Sequence, residues 1–210
     1  PFACCPSQSA PWPPAPTDPM KLLLPLLALG LIGSCASTSD GTSTASADQS
    51  AMPPASNIMQ EGHLPTPFSA AAIRDSCSEG AYRVFFMVTP EGHFTQTLTF
   101  GKGDSEGAPF SMTMTDQEGV EIVRQDMPHT AWTVFQSHAS SEIESTTLTR
   151  ERKKTAAGEF DCWVYRSQGP LGLAVTNYFA VNLPGPPIFS LGIGPDGTQV
   201  VRTELADYNR

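Results

Sequence analysis

Phe94, Gln96, Leu98 and Phe100 alternate with Thr95, Thr97 and Thr99. This two-residue period describes a strand with one dry and one wet face. It does not describe a helix, whose apolar positions recur every three or four residues. Runs of similar length and β-rich composition fall at Tyr82–Val88, Phe110–Thr115, Val120–Arg124, Glu144–Arg152, Glu159–Arg166, Ala174–Val181, Ile188–Ile193 and Thr198–Leu205. Pro90-Glu91-Gly92, Asp116-Gln117-Glu118-Gly119 and Asp196-Gly197 separate several of them, and these are turn residues. The pattern yields to a helical one twice. Thr66-Pro67 offers a capping hydroxyl and a proline for the first helical position, leading through Ala70, Ala71, Ile73 and Arg74 to Cys77. Trp132, Phe135 and Ala139 recur at helical spacing. Nine short strands and two minor helices predict an α+β domain that is mainly antiparallel β.

These runs occupy residues 61–210, which hold 16 of the chain's 18 aromatic residues and suffice for one globular core. Residues 36–60 have a different character: 14 of 25 are Ser, Thr or Ala and none is aromatic. Such a segment cannot offset the entropy of ordering, so 35–60 reads as a flexible tether beginning at Cys35. Residues 20–34, beginning Met20-Lys21 and rich in leucine, have the basic start, short apolar run and small-residue end of a secretory signal. The apolar run is about a dozen residues, short of the ~20 that a spanning helix needs. Seven of residues 1–19 are proline. The segment precedes a signal that belongs at an N-terminus, so it reads as over-translated upstream sequence.

The ending Leu31-Ile32-Gly33-Ser34-Cys35 resembles the lipobox of bacterial lipoproteins. The resemblance implies that the signal is cut before Cys35, that its thiol carries a diacylglyceryl group, and that its new amino group is acylated. Several acyl chains make such an anchor stable. Ala36 and Ser37 follow the cysteine where an Asp would retain an enteric lipoprotein in the inner membrane. By the same resemblance the protein is placed in the cell envelope, on the periplasmic face of the outer membrane.

Acidic residues outnumber basic ones 21 to 12, for a formal net charge of −9. This excludes a nucleic-acid partner, which needs a basic face to collect phosphates. No nucleophile elbow, P-loop, zinc-protease or dinucleotide motif occurs. His63, His93, His129 and His138 lack metal-ligand spacing, and Glu159 and Asp161 read as a solvated strand face. The expectation is no catalytic residue, no metal, no cofactor and no enzyme. Arg150-Glu151-Arg152-Lys153-Lys154 holds four of the basic residues; an edge strand running into a turn explains it, since charges keep edges from pairing.

Trp163-Val164-Tyr165, then Tyr178-Phe179-Ala180, then Leu183-Pro184-Gly185-Pro186-Pro187 resemble the C-terminal half of a family of uncharacterised bacterial envelope proteins. Their domains are loosely similar to the half-barrels of the lipoprotein carrier and acceptor proteins LolA and LolB. The resemblance implies a curved sheet or half-barrel and transfers no active site. Within the Glu159–Arg166 run, Phe160, Cys162 and Val164 face one side while Trp163 and Tyr165 face the other. One aromatic set packs the core, and the other is covered by 130–139 or the Pro-rich loop, exposed, or occupied by a ligand. Trp163, Tyr165, Tyr178 and Phe179 are therefore candidate ligand-facing residues. Two functions stay open: binding of a lipid or other hydrophobic ligand, or docking of an envelope protein partner. With Cys35 acylated, Cys77 and Cys162 remain as a candidate disulfide in an oxidising compartment.

Overall fold

The computed structural model describes residues 52–209. The upstream segment, the signal, Cys35 and most of the tether lie outside the described residues.

Nine strands form a single antiparallel sheet: β1 Tyr82–Thr89, β2 Gly92–Phe100, β3 Gly107–Thr115, β4 Glu121–Ala131, β5 Thr146–Thr155, β6 Gly158–Gln168, β7 Ala174–Ala180, β8 Phe189–Ile193 and β9 Gln199–Tyr208. Their spatial order is β4-β3-β2-β1-β9-β8-β7-β6-β5. Two meanders, β1–β4 and β5–β9, are thus zipped together where β1 pairs with β9. The alternation at Phe94–Phe100 lies in β2, and the turn at Asp196-Gly197 places Gly197 at φ 82°, a conformation a glycine adopts without steric cost. The basic run lies on β5, which pairs only with β6 and forms one edge of the sheet. The β5–β6 turn curls back to β9, where the Ala157 N–H donates to the Leu205 carbonyl at 3.3 Å. The sheet is therefore strongly rolled rather than flat.

Two helices, α1 Ala70–Ser76 and α2 Trp132–Ser137, complete the fold. The N-cap of α1 is Ser69, whose hydroxyl accepts the Ala72 N–H at 3.2 Å, and not Thr66 as the sequence suggested. Thr66 is fully buried, and its hydroxyl is occupied in tying the preceding loop together: it donates to carbonyls of Asn57 and Phe68 and accepts from Gln136 Nε2 at 3.0 Å. Gln136 also takes the Ala70 N–H on its Oε1 at 2.8 Å, so α2 supplies an acceptor to the first turn of α1. At the other end of α1, buried Arg83 of β1 donates to the carbonyl and hydroxyl of Ser76. Asn57 is buried and bonded to Thr66, so packing begins a few residues before the boundary at 61 that composition suggested.

Candidate interaction surface

Directly opposite residues in antiparallel strands share a face, so the register assigns every side chain of the sheet to one of two sides. Trp163, Tyr165 and Phe179 lie on the side that receives the helices. They form one cluster with Phe68, Ile73, Cys77, Phe100 and Trp132. Tyr165 and Phe179 meet edge-to-face at 5.5 Å, Phe68 packs on Phe179 at 6.4 Å, and the Tyr165 hydroxyl donates to the Pro65 carbonyl. Trp163, Tyr165 and Phe179 are 6%, 2% and 5% exposed, so three of the four candidate ligand-facing residues are core. The covering elements are the 65–77 segment and α2. Tyr165's burial raises its phenol pKa.

Phe160, Cys162 and Val164, on the other side of β6, pack in a second cluster with Phe85, Ala180, Leu183, Ile188 and Leu205, which joins residues of both register sides where the sheet rolls. Leu183 and Ile188 come from the Pro-rich segment, which covers this side near the β5–β6 turn. Cys77 and Cys162 are free thiols. Cys77 caps α1 on the helix side, whereas Cys162 alternates with Trp163 and so turns away from the helices. The candidate disulfide is therefore not formed. Burial raises the Cys77 thiol to about 11 and the Cys162 thiol to about 12, so neither is a ready nucleophile.

Two open clefts of about 410 and 320 Å³ flank Arg74 and Trp132, between α1 and the β2–β3 loop. Their walls carry Arg74, Glu79, Lys102, Asp104 and Glu106, and Trp163, Tyr165 and Phe179 line neither. Both are open surface clefts of mixed lining, the larger carrying Ala70, Ala71, Ala131 and Trp132 beside Arg74 and Glu106.

The outer face of β9 to β5 is different. A single register row runs Phe86, Glu204, Phe189, Tyr178, Val164 and Thr149 across six strands. Phe86 is 52% exposed. Tyr178, the fourth candidate residue, meets Phe189 edge-to-face at 5.5 Å. Lys153 Nζ caps the Phe189 ring at 3.5 Å and stands 4.9 Å from the Tyr178 ring, while Arg202 covers Phe189 from 5.6 Å. Arg202 pairs with Glu204 and Arg166 with Glu151 (2.8 Å), and the Tyr178 hydroxyl donates to Glu151 at 3.3 Å. The Arg166 hydrogen bond is the main reason the Glu151 pKa is lowered, and burial is the main reason the Tyr178 pKa is raised. The result is a set of aromatic rings beneath long cationic side chains, in which the aromatic residues and Arg166 and Arg202 are of the types enriched at protein interfaces and Lys153, Glu151 and Glu204 are not.

Sequence reasoning did not find Phe86, Phe189 or Arg202. Each sits in a run read only as β, and the strand order that aligns them joins β1 to β9 over more than a hundred residues of sequence.

No protein-family model and no curated protein sequence matches the chain. Among solved structures, it is similar to an inferred exported protein with a YmcC-like fold from Bacteroides fragilis, at 10% identity and TM-score 0.42, covering 63% of this chain and 97% of that one. It is similar to an inferred lipoprotein from Parabacteroides distasonis, at 10% identity and TM-score 0.41, covering 63% and 96%. The Pseudomonas aeruginosa MucA/MucB complex matches at 12% identity and TM-score 0.42, covering 67% of this chain and 56% of that one. At these values the likeness transfers neither ligand nor partner.

Proposed function

We propose that the protein is a cell-envelope lipoprotein, anchored through Cys35, that docks a protein partner on the outer face of its sheet without catalysis. The observation that carries this reading is the contrast between the two faces. The helix side is filled by the chain's own Phe68, Trp132, Trp163, Tyr165 and Phe179, whereas on the outer row Phe86 is exposed, Tyr178 is half-buried and Phe189 is buried beneath Lys153 and Arg202, side chains that a partner would displace. The Leu31–Cys35 motif supports the anchor, and the raised pKa values of both buried thiols support the absence of a cysteine nucleophile. The hydrophobic-ligand reading loses support, because three of the four residues expected to line a cavity, Trp163, Tyr165 and Phe179, are packed.

Two measurements test this. Radiolabelled palmitate should enter the wild-type protein and not Cys35→Ala; equal labelling would remove the anchor. A photo-cross-linker at Phe86 should capture one discrete protein in the producing cell, with Lys153→Glu abolishing that adduct and a cross-linker at Val134 on α2 giving none. Saturable uptake of a fluorescent fatty acid by the wild-type chain would restore the ligand reading instead.

A further inference from the structure

The sheet is open, and its two edges differ. On β5, Arg150, Arg152 and Lys154 share one face and Lys153 takes the other. Pairing β5 with a second β5 sets cation against cation in any register centred on this run, which is how charged edges avoid association.

β4 is the other edge. Its register with β3 runs uninterrupted from Val123 to Met127 and shifts immediately on both sides. The regular stretch is therefore Val123-Arg124-Gln125-Asp126-Met127, bounded by an irregularity at each end and symmetric about Gln125. Laid antiparallel against itself about that centre, Arg124 falls opposite Asp126 and Val123 opposite Met127, each pair occurring twice. Residues sharing a parity share a face, so both pairs meet on matching sides. Arg124, Gln125 and Asp126 are exposed; the Arg124 side chain is 53% accessible and bonds Glu121 of its own strand at 2.6 Å, a surface pair weak enough for Arg124 to exchange it for a facing Asp126. Val123 and Met127 are half-buried and extend the apolar layer of buried Met112 and Met114 on β3, and among the described residues no strand lies beyond to cover them. A shift of the centre by one residue to Arg124 sets that arginine against its own copy.

We infer that two copies of this chain pair through β4, antiparallel and centred on Gln125, to give a twofold dimer with a continuous sheet. The occupant is a second copy because the edge is complementary in charge and in apolar contact to itself, as a twofold interface must be. The irregularities at either end confine pairing to five residues per strand. Such a contact is well under the ~1,200 Å² of a stable interface, so the dimer is weak in dilute solution and gains from confinement on a membrane. The inference does not depend on the outer-face partner.

The test is oxidative cross-linking of the full chain. With Cys4, Cys5 and Cys35 replaced by Ser throughout, the native thiols left are Cys77 and Cys162, 2% and 0% exposed, so a new thiol on β4 reacts ahead of them, and the same chain without the new cysteine sets the background. Gln125→Cys should give a single disulfide dimer. Val123→Cys mixed with Met127→Cys should also dimerise, and either alone should remain at background. Adding Arg124→Asp to Gln125→Cys sets like charges opposite each other twice and should lower the cross-linked fraction roughly tenfold, while further adding Asp126→Arg should restore it. A Gln125→Cys chain that stays at background overturns the inference. So does a failure of the second charge change to rescue the first.

Discussion

Tyr178 and Phe179 are chain neighbours on β7 with opposite fates. Phe179 enters a core closed by Phe68, Tyr165 and the helices, whereas Tyr178 lies on the outer face beside Phe189, Lys153 and Glu151. Both faces are rich in aromatic rings, so aromatic content does not distinguish a binding face from a packing face. The difference lies in what covers each. The helix side is covered by apolar side chains from distant segments. On the outer side the Phe189 ring is capped by two cations with long flexible stems, which a partner can displace at low cost.

The largest effect should come from breaking the covered face. Trp163→Ala removes a side chain that is 6% exposed and should destabilise the domain by about 3–5 kcal/mol, read as a lower urea midpoint. A loss under about 1 kcal/mol, with altered lipid-probe uptake, would show that this face is a site after all. Smaller is the cost of loosening its lid. Gln136→Ala strands the Ala70 N–H and a hydrogen bond of buried Thr66, and should cost about 1–3 kcal/mol by the same measurement.

On the outer face, Lys153→Met should cost only about 0.5–1 kcal/mol, because a half-buried cation over an aromatic ring contributes about that much. Its effect on stability should therefore be small while its effect on partner capture is large, the reverse of Trp163→Ala. If the lysine proved as costly as the tryptophan, the two faces would not differ as proposed.

A separate effect should appear on the alkaline side. Both folded thiols are raised above the ordinary value of 9.0, Cys77 to about 11 and Cys162 to about 12. An unfolded chain releases these protons above about pH 9 while the folded one retains them. Stability from this source is complete below pH 9 and declines as pH rises from 9 through about 11 for Cys77 and about 12 for Cys162. Thiol titration should find both cysteines protected in the native domain and reactive on unfolding without reductant. Two unreactive sulfurs in the unfolded, unreduced domain would mean a disulfide.

Strands were legible wherever a two-residue period met a turn with its own chemistry. Gln96, Leu98 and Phe100, the Asp196-Gly197 turn and the parity of Trp163 against Cys162 all follow from local rules, because alternation and positive φ are properties of a few adjacent residues. β4 was read as ending at Arg124 and runs to Ala131: its outer half, with Pro128 and His129, has no alternation to announce it and is held by pairing with β3. The first helix begins at Ser69 rather than Thr66 because a buried hydroxyl satisfied by Asn57, Phe68 and Gln136 is no longer available as a cap. The outer-face row was invisible for the same reason, since Phe86 and Phe189 are neighbours only through β9.

By itself, then, the sequence determined most strands and turns, the side-chain parity of β6, a formal net charge of −9, and the lipobox-like motif at Leu31–Cys35. Only the tertiary structure decided that β1 pairs with β9, that the helices cover Trp163 rather than Val164, that Cys77 and Cys162 lie on different sides, and that β4 and β5 are left as edges. The physical reason is range. Backbone conformation and side-chain parity are set by neighbours in the chain, whereas strand order, cover and edges are set by which apolar surfaces from distant segments bury one another best.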